Sequence, residues 1–531
     1  MRPVLMLGVL LSATLLFAVQ PLAGRVLLPV FGGSPSVWNT AMVVFQMLLL
    51  AGYALAHLIA TRAPMWAQVV VVAAVFALGF ALWPEPESMA AAADRLGAST
   101  VPSVAVLASL ATTVGPAFLG LAMVSPLLQR WWARSGGDRP TRLYAASNLG
   151  SMLGLLGYPF LVEPTLALGT QASACSAALA VAALVVVVGG ALVTARRAST
   201  EATLRTAATG HQPITWSRRL RWVGLAAVPS ALLLGSTRHI TSDVAPVPLL
   251  WVVPLAIYLL TFVVAFGGGA ERWRRWCARV WPVVLVAIVA SMLLNASGPV
   301  AVLVPMHLLG LAVGALLCHA GLAADAPEGR RLTEFYLWLA IGGALGGTAN
   351  ALLAPVLFDS YLEYPIALAA VCLALPRGGD ERKPSRRGLF VRAAAVAMIV
   401  AAVAARVQFT DATGVAVRIY TVGLPCVGIF LIARYRYAFS VAVASALLLA
   451  AVLPDSRDVR IEHRERTFFG VHTVDISDGF RRLRHGSTVH GLRSLADDPP
   501  EPLAYYSRRG PCGDVFRAMG MGDTDAPPRR V

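Results

Sequence analysis

Residues 143–154 read LYAASNLGSMLG, and residues 335–346 read FYLWLAIGGALG. Both stretches are largely apolar, and both place a tyrosine and two glycines at matching positions. The matching glycines are Gly150 and Gly154 in the first stretch and Gly342 and Gly346 in the second. In lipid, small residues at this spacing let two helix backbones approach closely, because dispersion and weak hydrogen bonds replace the hydrophobic effect. The repeat therefore predicts two related helical halves.

The composition is that of a membrane protein. Hydrophobic residues make up 57% of the chain, charged residues make up 14%, and the mean hydropathy is +0.68. No ordinary soluble core accounts for so much apolar surface. A spanning helix needs roughly 20 mostly apolar residues, because about 30 Å of hydrocarbon is crossed at 1.5 Å per residue. Many segments meet this length, so we predict an all-α polytopic membrane protein.

The apolar runs form two sets of six and a remainder. The first set covers residues 3–22, 38–60, 65–83, 103–128, 143–162 and 171–194. The second set covers residues 220–235, 245–267, 280–295, 299–322, 332–357 and 361–376, and three further runs cover 389–405, 419–433 and 437–454. The total is about 14 or 15 membrane helices. Two six-helix halves joined by a basic cytoplasmic loop form the plan of major facilitator transporters.

The segmentation predicts five regions. They are a first membrane half (1–194), a basic cytoplasmic loop (195–219), a second membrane half (220–376), additional membrane helices (377–454) and a short polar tail (455–531). The first run, Pro3 to Leu22, follows Arg2 and could also be a secretory signal peptide. It is longer than a usual signal core and lacks a convincing small-x-small cleavage site. We therefore predict an uncleaved first helix.

The net charge of +16 indicates topology rather than a nucleic-acid partner. Arginine is concentrated in alternate loops, for example at residues 130–142 and 272–279, whereas an intervening loop carries Glu85, Glu87 and Asp94. This is the positive-inside pattern, and it predicts a multi-pass protein of the cell (inner) membrane, in contact with the lipid bilayer, with a cytoplasmic N-terminus. An odd number of spans places the tail outside, and an even number places it in the cytoplasm. The sequence leaves both open.

Polar residues at membrane depth are candidates for a functional site, because burying them there costs free energy. The candidates for substrate binding are Gln20, Gln46, Tyr144, Asn148, Glu163, Arg238, His239, His307, Glu334, Tyr336 and Asn350. For those near predicted helix ends, interfacial solvation or a structural ion pair is favoured over contact with a substrate. For the deeper ones, an interhelical hydrogen bond, worth roughly 1 kcal/mol, is favoured over a central substrate site. His57 and His319 lie at predicted cytoplasmic ends, where we expect them to be solvated.

Several stretches together resemble a known family. They are LLPVFGGSPSVW at 27–38, LYAASNLGS at 143–151, YP to EP at 158–164, TRHI at 237–240 before PLLW at 248–251, LTEFY at 332–336 and EYP at 363–365. In this combination the chain resembles the fused spermidine synthase-like membrane proteins, in which a multi-span region precedes an aminopropyltransferase-type domain. The resemblance covers most of residues 1–376. It implies a major-facilitator-like body and an association with polyamines.

The tail also fits this resemblance, but only in part. The resemblance implies that Arg466 to Gly470, together with His485, His490, Tyr505 and Tyr506, belongs to the β-rich lead-in of the synthase domain, near the edge of its polyamine pocket. Aminopropyl transfer needs a Gly-rich strand-to-helix turn and acidic residues for the nucleoside and the amine. None follows before Val531. We therefore expect no catalytic residues, and the six scattered cysteines predict neither a metal site nor a disulfide framework, so no cofactor is expected.

Two hypotheses follow. In the first, the chain is a non-enzymatic membrane protein that binds or transports a small solute, and the resemblance suggests an amine or an adenosyl compound. In the second, the chain is the membrane half of a split or truncated aminopropyltransferase, and a separate chain supplies catalysis. The sequence favours the first. It leaves the substrate, the coupling ion and the oligomeric state open.

Overall fold

The chain forms a helical bundle followed by a small sheet. The structure is a computed structural model that describes residues 1–32, 35–83, 86–99, 101–135, 141–197, 214–241, 250–294, 296, 298–327, 331–376, 419–452, 459–467, 470–486, 488–497 and 501–519. Within these residues, eight helices are long and apolar enough to span a membrane, and a ninth span results if one bent pair counts as one. Five shorter apolar helices accompany them. The prediction of a polytopic helical membrane protein is confirmed.

The first half of the bundle follows the predicted segmentation closely. Its helices are α1 (Arg2–Phe31), α2 (Pro35–Arg62), α3 (Met65–Ala81), α4 (Pro86–Ser99), α5 (Pro102–Thr113), α6 (Gly115–Arg134), α7 (Thr141–Gly157) and α8 (Leu168–Arg197). Helices α5 and α6 form the pair bent by 70°, within the single predicted run 103–128. Helix α4 corrects the sequence analysis, which placed an acidic loop there; its run of alanines has a high helix propensity.

The second half and the additional helices complete the bundle. They are α9 (Trp216–His239), α10 (Val252–Gly267), α11 (Ala270–Leu293), α12 (Val300–Ala324), α13 (Leu332–Thr348), α14 (Glu363–Val371), α15 (Leu424–Leu431) and α16 (Arg436–Val452). The additional helices α15 and α16 pack against α11, and α16 also packs against α14. The predicted helix 389–405 lies outside the described residues.

The two halves share an irregularity. Helix α7 continues through a π-helical turn, Tyr158–Val162, into Glu163–Thr165, and α13 continues through a π-helical turn, Ala349–Leu353, into Ala354–Leu357. A proline lies within the first turn and just after the second, at Pro159 and Pro355. Proline has no N–H to donate to the preceding turn, and wider π turns accommodate such a break. The repeat seen in the sequence thus extends to the end of each helix.

The repeated glycines pack as the sequence predicts. Gly150 and Gly154 of α7 lie against the carbonyl oxygens of Leu10 and Thr14 in α1. Gly342 and Gly346 of α13 lie in the same way against the carbonyl oxygens of Val223 and Ala227 in α9. A Cβ atom at any of the four glycines would collide with the facing backbone. Glycine is therefore required where α1 crosses α7 and where α9 crosses α13.

These crossings define a register between the halves. When Leu10 is matched with Val223 and Thr14 with Ala227, Arg25 of α1 matches Arg238 of α9. The same spacing matches Trp38, near the start of α2, with Trp251, just before α10. Helix contacts repeat as well: α2–α6, α3–α6 and α1–α8 correspond to α10–α12, α11–α12 and α9–α14. The described part of the bundle therefore contains two halves with equivalent helix packing.

The halves meet along two equivalent seams. Helix α2 packs against α13, and α10 packs against α7. We call the end where α1 ends and α2 begins the outer end, and the opposite end, where α2 ends at Arg62, the inner end. The inner end carries the arginines that begin α9 and α11, so the positive-inside rule predicts that it faces the cytoplasm.

The tail folds as an antiparallel sheet, as predicted. Strands β1 (Arg460–Thr467), β2 (Gly470–Ser477), β3 (Phe480–His485), β4 (Thr488–Ser494) and β5 (Leu503–Ala504) pair in chain order, and α17 (Pro511–Ala518) follows. Asp478 and Gly479, both with positive φ, connect β2 to β3. An Asp-Gly pair with positive φ favours a tight two-residue hairpin turn.

One ion cluster stabilises the sheet from within. The carboxylate of Asp475 is fully buried and accepts hydrogen bonds from Arg482 Nε (2.6 Å) and Arg484 Nε (2.7 Å). The two arginines occupy alternate positions of β3, so both side chains lie on the same face as Asp475. A buried carboxylate needs such partners, because an unpaired charge in the core is costly.

The tail contacts the outer end of the second half. The side chain of Arg466 in β1 is 1% exposed and binds Glu363 at the start of α14, with 2.7 Å between Nη2 and Oε1. Arg466 Nη1 also donates to the carbonyl oxygen of Ser360 (2.6 Å), and the backbone N–H of Val471 donates to the hydroxyl of Tyr361 (3.0 Å). The tail therefore lies at the end of the bundle opposite the arginines that begin α9 and α11.

Candidate functional site

A cavity lies between the two halves, near the middle of the bundle. Its volume is about 150 Å³, and helices from both halves line it: α1, α2, α6 and α7 from the first, and α9, α10 and α13 from the second. Because equivalent helices of the two halves face each other here, a solute in this cavity would touch both. This is the position at which repeat-built transporters hold their substrates.

Four of the predicted binding residues line this central cavity: Gln20, Gln46, Tyr144 and Asn148. Gln20 Nε2 donates to the carbonyl oxygen of Leu16 (3.3 Å), and Asn148 Nδ2 donates to that of Tyr144 (2.8 Å). Both amides are therefore oriented by their own helices. The structure brings these residues together although they are far apart in sequence.

Gln46 links the halves across the cavity. Its Nε2 donates to Ser230 Oγ in α9 (3.2 Å), and the Ser230 hydroxyl in turn donates to the carbonyl oxygen of Gly343 in α13 (2.9 Å). Gln46 belongs to α2, so this chain of hydrogen bonds joins three helices from two halves. Such interhelical bonds are worth roughly 1 kcal/mol each in membranes, so the link can form and break without a large cost.

An aromatic pair lies toward the outer end of the bundle. The rings of Trp38 and Trp251 pack with centroids 3.7 Å apart. They lie at matching positions of the two halves, so the contact spans the seam between them. We call this pair the outer aromatic contact.

A second aromatic cluster lies toward the inner end. Tyr144 of α7 stacks on Tyr336 of α13 with centroids 4.7 Å apart and makes edge contacts with Phe262 and Phe266 of α10. Nearer the inner end, His57 Nδ1 lies 2.9 Å from Thr333 Oγ1. We call the four rings the inner aromatic cluster.

A second group of predicted residues meets at the outer end, away from the central cavity. Arg238, His239 and His307 line a cavity of about 250 Å³. The rings of His239 and His307 are 4.6 Å apart, and His307 Nδ1 lies 2.8 Å from the hydroxyl of Tyr364. Arg238 pairs with Glu363 at 3.8 Å, the same carboxylate that binds Arg466. The sequence allowed a structural ion pair near these helix ends, and the structure contains one.

The remaining candidates in the bundle occupy separate places. Glu163 pairs with Arg25 at 3.6 Å, and Glu334 pairs with Arg219 at 2.7 Å near the inner end. Asn350 is buried in the π-helical turn after α13, where its Nδ2 donates to the carbonyl oxygen of Gly346 (3.3 Å). These three do not line the central cavity, and Tyr336 contributes only to the inner aromatic cluster.

Two histidines were expected to be solvated at cytoplasmic ends. His319 contradicts this: it is fully buried, 2.9 Å from Thr261 Oγ1, and stacked on Phe262 at 3.6 Å. Helix α12 extends past His319 to Ala324, so the residue lies deeper than the sequence placed it. His57 is half-buried and bonded to Thr333.

The candidate residues of the tail form a row on one face of the sheet. The rings of His472 and His485 stack at 4.8 Å, and His490 and then Tyr505 follow at 5.9 Å each. Tyr505 and Tyr506 are more than half exposed. The structure thus brings His485, His490 and Tyr505 together and leaves Tyr506 beside Gly491. Their role at the edge of a pocket stays a prediction.

Several residues of these sites were missed from the sequence. Ser12 lines the central cavity and lies two helical turns before Gln20, a spacing that places both on one face of α1 and could have identified it. Tyr53 and Tyr258 also line the cavity, but tyrosines are common in membrane helices and gave no distinct signal. The partnership of Arg466 with Glu363 joins residues about a hundred positions apart, and no local pattern reports it.

The comparisons with known proteins concern the fold. The sequence matches no model of a protein family, and none of the curated proteins matches it. Among solved structures, the major facilitator proton:xylose symporter XylE, bound to 6-bromo-6-deoxy-D-glucose, is similar at 15% identity, over 70% of this chain and 93% of that one, with a TM-score of 0.45. The human organic anion transporter MFSD10 (TETRAN) is similar at 17% identity, over 70% and 97%, with a TM-score of 0.43. At these values, the structural similarity gives no information about ligands.

Proposed function

We propose that this multi-pass membrane protein transports a small solute across the cell (inner) membrane by alternating access at the central cavity. The observation that carries the proposal is the position of the cavity between two halves with equivalent helix packing. Two such halves can rock against each other around a fixed site, so that the site opens to one side at a time. The outer aromatic contact and the inner aromatic cluster are then the two gates.

The gates make the proposal testable without a known substrate. Spin labels at Leu28 and Val300 report on the outer end, and labels at Thr61 and Glu271 report on the inner end; all four side chains are exposed. The labels are placed in a background in which the two partly exposed cysteines, Cys175 and Cys512, are replaced by serine. Distances are measured by double electron–electron resonance in lipid nanodiscs.

Each gate is then weakened in turn. Trp38→Ala removes the outer contact, so we expect the outer distance to lengthen and the inner distance to shorten. Tyr144→Ala opens the inner cluster and is expected to do the reverse. Trp66→Ala serves as the control, because Trp66 is exposed on α3 away from both gates. Distances that stay the same in both gate variants would contradict alternating access.

The alternative from the sequence is the membrane half of a split aminopropyltransferase. With the predicted orientation, the contact between Arg466 and Glu363 holds the tail on the outer side of the membrane. A partner enzyme that takes an adenosyl substrate from the cytoplasm would not meet the tail there. This contact favours transport over the split-enzyme hypothesis. The amine or adenosyl solute that the resemblance suggests stays a prediction.

A further inference from the structure

The central cavity has an uncharged lining. Among the described residues that line it, none is aspartate, glutamate, lysine, arginine or histidine. The charged candidates of the second half lie instead at the outer end, around Glu363, or at the inner end, at Glu334. A charged solute placed in the cavity would lose its hydration and find no counter-ion, which is costly in a low-dielectric interior. The lining therefore selects against ions.

The cavity also has the size and surface for a ring. Aromatic side chains contribute from both halves, namely Phe17, Phe45, Tyr53, Phe118, Tyr144, Tyr258 and Phe262. An apolar cavity of about 150 Å³ is large enough to bind benzene, and the volume here is about 150 Å³. Aromatic walls favour a flat apolar body through offset and edge-to-face contacts.

Two buried amide oxygens of this lining, Gln20 Oε1 and Gln46 Oε1, lack a hydrogen-bond partner among the described residues, and that of Gln46 lies against Gly347 of α13. Gln20 is 3% exposed, and its Oε1 atom has no hydrogen-bond partner among the described residues. The orientation of the amide is fixed, because Nε2 must be the atom that donates to the carbonyl oxygen of Leu16. On the same face of α1, the buried hydroxyl of Ser12 likewise has no partner within the described part of the chain. Buried acceptors are normally hydrogen-bonded, so we expect a bound solute to supply the donor.

From these observations we infer that the central cavity binds an uncharged, ring-sized solute that donates a hydrogen bond to Gln20 Oε1. The inference rests on the proposed function, since it names the class of substrate for the same cavity. The solute has an apolar or aromatic body and an N–H or O–H group. This class differs from the polyamine that the sequence resemblance suggests.

Benzamide is the probe, since it combines one ring with an uncharged N–H donor. Its affinity for the purified full chain is measured by calorimetry against matched detergent blanks. Benzoate and benzylamine have a similar size but carry a negative and a positive charge, and methyl benzoate is uncharged but has no N–H or O–H donor. Spermidine tests the polyamine directly. We expect benzamide to bind at least about tenfold more tightly than either ion and severalfold more tightly than methyl benzoate.

The variant Gln20→Leu removes the acceptor. We expect the affinity for benzamide to fall about fivefold, which is the effect of losing one neutral hydrogen bond. The affinity for methyl benzoate should not change. Unchanged binding of methyl benzoate also shows that the cavity is intact in the variant. Gln129→Leu is the matched control: Gln129 is a buried glutamine that also donates to the carbonyl four residues earlier, but it does not line the cavity.

The inference is overturned if benzylamine, benzoate or spermidine binds more tightly than benzamide, if none of the probes binds, or if Gln20→Leu leaves benzamide unchanged. These binding results are independent of the distances measured at the gates. Conversely, gates that do not move while benzamide binds as expected would leave a binding cavity and refute transport. The two proposals therefore fail separately.

Discussion

The two halves of the bundle share a backbone arrangement but not a chemistry. In the register set by the glycine crossings, Gln20 of the first half matches Leu233 of the second, and both line the central cavity. The same register matches Gln46 with Leu259, and the glycine-bearing stretches match Asn148 with Ala340. Hydrogen-bonding side chains are thus concentrated on one side of the cavity, and Tyr258 is the only described side chain of the other side that carries a hydrogen-bonding group.

At the outer ends, the two halves differ in how deeply their ion pairs are buried. Arg25 and Glu163 of the first half form a pair whose side chains are 37% and 31% exposed. The matching Arg238 pairs with Glu363, where both side chains are about 5% exposed or less, and Arg466 of the tail completes the cluster. The hydrogen bonds described between the tail and the bundle are therefore made to the second half. Helix packing is therefore repeated between the halves where backbones cross, whereas the polar side chains differ between the halves.

The largest expected effect tests what the halves share. Gly154→Ala and Gly346→Ala each push a methyl group into a facing backbone carbonyl, so the helices must separate. We expect each to cost about 3 kcal/mol or more, since overpacking against backbone relaxes poorly. The measurement is the apparent melting temperature and the monodisperse yield in detergent.

Gly157→Ala and Gly224→Ala provide the controls, because a Cβ atom at either position meets no atom within 4 Å. If only one of the two crossing variants is destabilised, the halves do not share this packing, and the register between them is wrong.

The next effect tests the difference at the outer ends. Arg466→Ala breaks a buried ion pair and removes the hydrogen bond to Ser360, changes that cost about 3 to 5 kcal/mol when a buried charge loses its partner. We expect the tail to detach from the bundle and to be cleaved much faster by trypsin. Arg25→Ala, at the matching end of the first half, should leave the tail as resistant as before.

Arg481→Ala controls for a general loss of tail stability. It removes the partly exposed pair with Glu462, which is worth about 0 to 1 kcal/mol and does not touch the bundle. Equal cleavage of the Arg466→Ala and Arg481→Ala variants would show that docking does not depend on Arg466.

A smaller effect tests which side of the cavity binds. The double variant Gln20→Leu with Leu233→Gln moves an amide from the first half to the second. We expect it to remain about fivefold weaker than the natural chain for benzamide, because the new amide approaches from the opposite wall. Full recovery of affinity would show that the two sides are interchangeable.

The smallest effect concerns the link between the halves. A Cβ atom on Gly347 would collide with Gln46 Oε1, which lies against this glycine. Gly347→Ala should displace the Gln46 amide and break its hydrogen bond to Ser230, at a cost below about 1 kcal/mol because the side chain can swing away. A modest drop in melting temperature is expected, and a drop as large as that of Gly346→Ala would contradict this account.

Much of the fold was predictable, because membrane helices are specified locally. Most of the helices begin and end within several residues of their predicted positions. The exceptions have local causes: α4 is too polar to count as a span, and the bend between α5 and α6 leaves no break in the apolar run. The two aromatic–glycine stretches predicted both crossings. Four of the eleven candidate binding residues in the bundle line the central cavity, and the others lie near ion pairs or in packed helix contacts.

Hydropathy and small-residue spacing are properties of neighbouring residues, so the sequence by itself predicted the membrane class and the two halves, and the resemblance predicted the sheet in the tail. Only the tertiary structure decided which polar residues share a cavity and which form ion pairs. Gln20 and Gln46 meet across helices, and Arg466 finds Glu363 across more than a hundred residues. Such pairings depend on how helices cross, and a single sequence carries no local signal for them.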